Sequence, residues 1–557
     1  MNKKITALLC MTTLFTFTAC SFNETKNEAT VDDSEIVPHI EVAQEEVLAN
    51  KVALRGKKQG VKYMPMDTGG VMPEAVISAI PMQSGQWNRE SYNALDENGF
   101  INANYDPLST FSIDVDTASY ANIRRIINSG AMPPVGAVRI EEMINYFSYD
   151  YPQPTGNDPI AISIENGPSP FNKGYELVKI GLKAKDIKTE NLPPSNLVFL
   201  IDVSGSMDTP VKLGLLKKSM KMLVAQLDKQ DRISIVVYAG SDRIVLQPTP
   251  GSEQKKIIQA IESLRSGGST HASSGIETAY KLAHQAYMPE GNNRVILASD
   301  GDFNVGITSR GELQKLIEDK RKSGIYLTTL GFGMGNYHDD TMEILADKGN
   351  GNYAYIDSLL EAKKVLIKEM GGTLHALAKD VKIQVEFNPA QVGAYRLIGY
   401  ENRTLADEDF VNDKKDAGEI GAGHTVTALY EIIPANHQDI PQIDELKYQK
   451  SKQNSVVSDE MLTVELRYKP LKSDKSKEIS KSLVPKKTSL EKTSDDFRFS
   501  AAVAGFGMLL KKSEYIEDFS WEECISLMQN SRGADREGYR AEALRLAEMG
   551  QLLTGER

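Results

Sequence analysis

Between residue 196 and about residue 370 the chain alternates apolar runs of strand length with stretches whose apolar positions recur at helical spacing. The first of these, Leu197-Val198-Phe199-Leu200-Ile201, is unbroken, which is the pattern of a strand buried on both faces. Leu213 to Leu227 predicts an amphipathic helix, Arg232 to Tyr238 a strand and Arg243 to Leu246 a short edge strand. Helices are expected over Glu253 to Leu264 and His271 to Ala286, and Arg294 to Ser299 is a second buried strand. Leu313 to Lys322 predicts a helix, Ile325 to Phe332 a strand and Met342 to Asp347 a helix. Tyr353 to Ile356 is a last strand and Leu359 to Met370 a closing helix. Such alternation predicts an α/β domain over residues 191–372, with a doubly wound, mostly parallel sheet.

The flanks have a different rhythm. Ile160 to Ile164 and Tyr175 to Leu182 read as strands, with turns at Asn166-Gly167 and Asn172-Lys173-Gly174. Val381 to Phe387, Tyr395 to Gly399, Val426 to Ile433 and Leu462 to Tyr468 are strand-like as well. The ends of an α/β domain usually lie close together, which permits insertion into another domain. Residues 156–190 and 373–470 are therefore expected to form one mainly antiparallel β unit with the α/β domain inserted in it. Residues 91–155 predict a strand at Ser109 to Asp116 and helices at Thr117 to Asn128 and Val138 to Phe147, with Asp116 or Thr117 capping the first helix. Residues 438–457 and 471–494 are rich in Lys, Ser and Gln and read as exposed loops. The end, 495–557, is helical, over Phe497 to Lys512 and Arg536 to Leu552.

At the other terminus, Lys3 and Lys4 precede a mostly apolar run from Ile5 to Phe17 and the small pair Thr18-Ala19. Residues 1–19 thus read as a secretory signal, too short to span a membrane and stay there. Phe17-Thr18-Ala19-Cys20 resembles the lipobox of bacterial lipoproteins, which implies acylation of Cys20 and a lipid anchor in the cell envelope. Ser21 is not the aspartate associated with inner-membrane retention, so the outer membrane is favoured over the inner. Residues 20–90 are polar and acidic without sustained periodicity and read as a flexible tether. Of the three cysteines, Cys10 leaves with the signal and Cys20 carries lipid, so Cys524 has no disulfide partner. A formal charge of −12 argues against nucleic acid as a partner.

The chemistry gathers where predicted strands end. Asp202, Ser204 and Ser206 follow the first buried strand, and three small oxygen ligands on one tight loop suit a hard cation such as Mg²⁺. Alone, that spacing reads equally well as an Asx or Ser turn. Ser266-Gly267-Gly268-Ser269-Thr270 is a glycine loop ahead of a helix, and Asp300-Gly301 follows the second buried strand. Taken in order, these motifs resemble the von Willebrand factor A (vWA) domain and its metal-ion-dependent adhesion site, a Rossmann-like fold. The resemblance implies that Asp202, Ser204, Ser206, Thr270 and Asp300 hold Mg²⁺, with Mn²⁺ or Ca²⁺ as alternatives. It also implies an open coordination position that takes an acidic side chain of a protein partner. His271 stands where relatives commonly have asparagine. Ser109 to Pro152 and the stretch Asp416 to His424 with the helical end look like the flanking regions of bacterial exported vWA proteins.

Three functions are compatible with this pattern. One is a lipid-tethered, Mg²⁺-dependent protein-binding module without enzymatic activity. A second is a metal-dependent hydrolase or phosphatase, but no H-E-x-x-H, G-x-S-x-G or P-loop pattern is present. The third is a structural envelope protein. Asp114-Val115-Asp116-Thr117 also looks like the first motif of haloacid-dehalogenase-type phosphotransferases, but the helix and Pro133-Pro134 that follow do not continue that fold.

Overall fold

The computed structural model describes residues 90–187, 192–268, 272–301, 310–335, 337–369, 376–442 and 458–555. Within them an α/β domain is inserted into a β-sandwich, as the two strand rhythms lead one to expect. Six strands form its sheet: β1 (Ser195–Asp202), β2 (Arg232–Tyr238), β3 (Asp242–Pro250), β4 (Asn292–Ser299), β5 (Tyr326–Phe332) and β6 (Tyr353–Ile356). They lie in the order β6-β5-β4-β1-β2-β3. All pairings are parallel except that of β3, an antiparallel edge. Along β1, Leu197, Phe199 and Ile201 enter one core while Val198 and Leu200 enter the other. Covering both faces explains why that strand is continuously apolar.

The host is a pair of antiparallel sheets. One holds strands Ile160–Pro168, Glu176–Ala184, Thr425–Pro434, Val392–Ile398 and Ile101–Asn102. Strand Glu176–Ala184, before the insert, pairs with Thr425–Pro434, after it. The other sheet is built on Ala376–Phe387, flanked by Leu108–Ser112 and Leu462–Pro470. Val178, Ile180 and Leu182 face Val381, Ile383 and Val385 in the core between the sheets. Behind the first sheet a helical layer, Ile140–Asn145, Asp495–Lys511, Trp521–Asn530 and Tyr539–Thr554, shares a separate core with Leu177, Ile398 and Leu429. Helix Ala118–Asn128 bridges this layer to the insert, where Ala118 and Ala121 pack on Tyr337, Tyr353 and Tyr355.

Several expectations are corrected. Asn166 and Gly167 lie inside strand Ile160–Pro168, paired with Val178 and Leu177, and the reversal falls at Ser169 to Tyr175. The expected loop 471–494 contains strand Lys477–Leu483, paired with Leu462–Tyr468. As an exposed edge it has no need of an apolar face. Helix Trp521–Asn530 was not expected, although the capping box of Ser520 and Glu523 marks its start. The closing helix is α-helical only over Leu359–Lys363 and continues as a π-turn, Lys364–Lys368. Strand Leu108–Ser112 stops before Asp116, and neither Asp116 nor Thr117 caps the next helix through its side chain. The carboxylate of Asp116 instead accepts from the Tyr353 backbone N–H at 2.7 Å and pairs with Arg403. The signal, Cys20, the tether up to residue 89 and most of 438–457 lie outside the described residues.

Candidate metal centre

β1 lies between β2 and β4, so the chain leaves its carboxyl end toward one neighbour and returns later on the other side. In open α/β sheets the crevice at such a switch point is where ligands bind. Asp202 is the last residue of β1, opposite Tyr238 at the end of β2. Asp300 follows the end of β4, whose Ala298 pairs with Ile201. Strand register alone therefore puts both aspartates at one edge.

Both are fully buried. Oδ1 of Asp202 accepts from the Ser204 backbone N–H at 2.8 Å, and Oδ2 accepts from Ser299 Oγ at 3.1 Å. Burial pushes the Asp202 carboxyl up to about 6; the hydrogen bonds from Ser204 and Ser299 work against that rise and the nearby Asp300 adds to it. Such a group gains from a cation beside it. The loop then turns through a short 3₁₀ segment, Gly205–Met207, whose Met207 is buried as its anchor.

Ser204 Oγ and Ser206 Oγ are 3.0 Å apart. Adjacent oxygens of an octahedral Mg²⁺ shell with bonds of about 2.1 Å are separated by about 3 Å. The pair therefore fits one edge of that shell. With two aspartates, the donor set is all oxygen, which suits Mg²⁺ better than a softer metal.

The glycine loop is tied to this one by backbone. Gly267 N–H donates to Val203 O at 2.7 Å, and Gly205 N–H donates to Gly268 O at 3.3 Å. Gly268 has φ +96°, and a Cβ there would press on the Gly240 backbone. Glycine is needed for this close approach. Thr270 and His271 lie outside the described residues.

One neighbour of the site escaped the sequence reading. Lys212 Nζ donates to Asp300 Oδ2 at 2.9 Å, with both side chains buried. Nothing in its local sequence singles it out.

Asp114 and Asp116, the other acidic pair weighed from sequence, lie elsewhere, in the seam between insert and sandwich around Arg403. Arg403 also pairs there with Glu343 and Asp347, so the pair is spent on an ion network.

Three family models match the chain. Residues 196–368 match the von Willebrand factor type A domain, 86–179 a von Willebrand factor model, and 372–553 the C-terminal region of the uncharacterized protein YfbK. The Escherichia coli K12 protein YfbK is 42% identical over 524 residues, covering 92% of this chain and 89% of that one. The uncharacterized Synechocystis protein sll0103 is 26% identical over 185 residues, 33% of this chain and 43% of its own. A von Willebrand factor type A structure from Catenulispora acidiphila covers 68% of this chain and 88% of its own, at 14% identity and a TM-score of 0.37.

Proposed function

Because the chain belongs to the family of Escherichia coli YfbK and carries a von Willebrand factor type A domain, we propose that it is a membrane-tethered protein-binding module. Such domains commonly serve in protein–protein interaction. In this reading Asp202, Ser204, Ser206, Thr270 and Asp300 hold Mg²⁺, and the position left open takes an acidic side chain of the partner. The observation that carries it is the 3.0 Å separation of the two serine hydroxyls beside buried Asp202.

Bound there, the metal would supply a positive acceptor for a carboxylate. The chain's own residues do the rest. The Ser204 N–H and Ser299 hydroxyl fix the Asp202 carboxylate, and backbone bonds at Gly267 and Gly205 hold the glycine loop against the Asp-Ser-Ser loop.

Anchoring is proposed to come from acylated Cys20, with the outer membrane favoured. Among the described residues no helix is long and apolar enough to cross a membrane. Metabolic labelling with a radioactive fatty acid should mark the wild type and spare Cys20→Ala. For the metal, calorimetry on the full chain should record Mg²⁺ binding that Asp202→Ala abolishes. Equal heats from both proteins would overturn the reading.

A further inference from the structure

Lys212 reaches Asp300 along a built path. Its stem runs over Gly333, where a Cβ would overlap Cγ, Cδ and Cε of the lysine. Gly333 has φ +93°, a conformation that favours glycine for a second, independent reason. The loop that carries it is held from several sides. The Tyr355 hydroxyl donates to the Gly333 carbonyl, Gly335 N–H donates to Glu90 Oε1 at 2.8 Å, and Ser91 N–H donates to Tyr337 O at 3.0 Å. The ammonium is thus delivered to one oxygen of a candidate ligand, and the groove it lies in is fixed by other elements.

Resting on the metal reading above, we propose that Lys212 is a positioning residue that stays on Asp300 and sets the net charge of the centre. Among the described residues, the two carboxylates and one ammonium leave a single negative charge. A divalent cation then keeps one unit of positive charge for the partner's carboxylate, where the two aspartates alone would cancel it. Lys212 therefore weakens the hold on the metal and strengthens the pull on the acidic ligand.

The test is calorimetric titration of the full chain with Mg²⁺, and separately Mn²⁺, for wild type, Lys212→Met, Lys212→Gln and Lys212→Arg. Loss of the charge should tighten metal binding about tenfold or more, since a buried like charge a few ångströms away is removed. Lys212→Gln keeps a donor for Asp300 and so guards against a Met variant that folds poorly. Lys212→Arg should stay within a few-fold of wild type. Metal binding in the wild type with no gain in a folded neutral variant overturns this inference alone. No binding in any of the four overturns the metal reading, and this inference with it.

Discussion

Arg403 Nη1 lies 2.7 Å from Asp347 Oδ2, joining the sandwich to helix Asp339–Lys348 of the insert. Its Nη2 is 3.3 Å from Glu343 and 3.4 Å from Asp116. Removing a buried cation strands its carboxylates, which typically costs about 3–5 kcal/mol. Arg403→Met is therefore expected to destabilise the chain by about that much in a urea titration. A loss under about 1 kcal/mol would mean that the network contributes little.

Arg124 makes a second joint to the insert. It donates to Asp357 at 2.7 Å, Glu361 at 2.7 Å and Glu542 at 2.9 Å. These carboxylates belong to the end of the insert and to the last helix, Tyr539–Thr554. Arg124→Met should free that helix, and limited proteolysis should then cut first near residues 535–555. An unchanged digestion pattern would contradict this role.

Metal binding should register as stability. If Mg²⁺ binds only the folded chain, a concentration about 100 times its dissociation constant adds about 2.7 kcal/mol. Thermal melting should rise with Mg²⁺ in the wild type, stay flat in Asp202→Ala, and rise less in Ser206→Ala. A full rise in Asp202→Ala would show that the ion binds elsewhere.

Glu419 gives a pH dependence with a definite sign. Burial pushes its carboxyl from 4.5 up to about 8; nearby Asp114 and Asp416 add to the rise, while Arg294 and the hydrogen bond from Asn350 oppose it. Below about pH 4.5 it is protonated in both states, so its contribution is intact. As pH rises toward 8 the unfolded chain ionises freely while the folded chain resists, and that stability is lost. Glu419→Gln should flatten the fall in urea midpoint between about pH 5 and 8. An unaltered slope would assign the fall to Glu142 or Asp339, which burial also raises.

What the sequence could disclose depended on whether the signal was local. The strand at Leu197 to Ile201 is legible because both of its faces are covered. Strand Lys477–Leu483 is not, since most of its side chains are exposed at a sheet edge and carry no apolar alternation. Asp202, Ser204 and Ser206 stand out by spacing, and strand register brings Asp300 to the same edge. Lys212 and Asp300 are 88 residues apart, and only the folded loop over Gly333 relates them. Asp114 and Asp116 advertised themselves as chemistry, but their partner Arg403 lies far along the chain in the other half of the sandwich sequence.

The insertion has a mechanical consequence. The candidate metal edge is at the carboxyl end of β1, while the chain enters the insert at that strand's amino end, Ser195. A tug applied at the edge is passed lengthwise down β1 to the sandwich. β1 is paired in continuous register with β2 on one side and β4 on the other. Load on Asp202 would then run along the covalent backbone of β1, while load on Asp300 at the end of β4 would reach β1 through the parallel β1–β4 hydrogen bonds, all loaded together in shear rather than opened one after another.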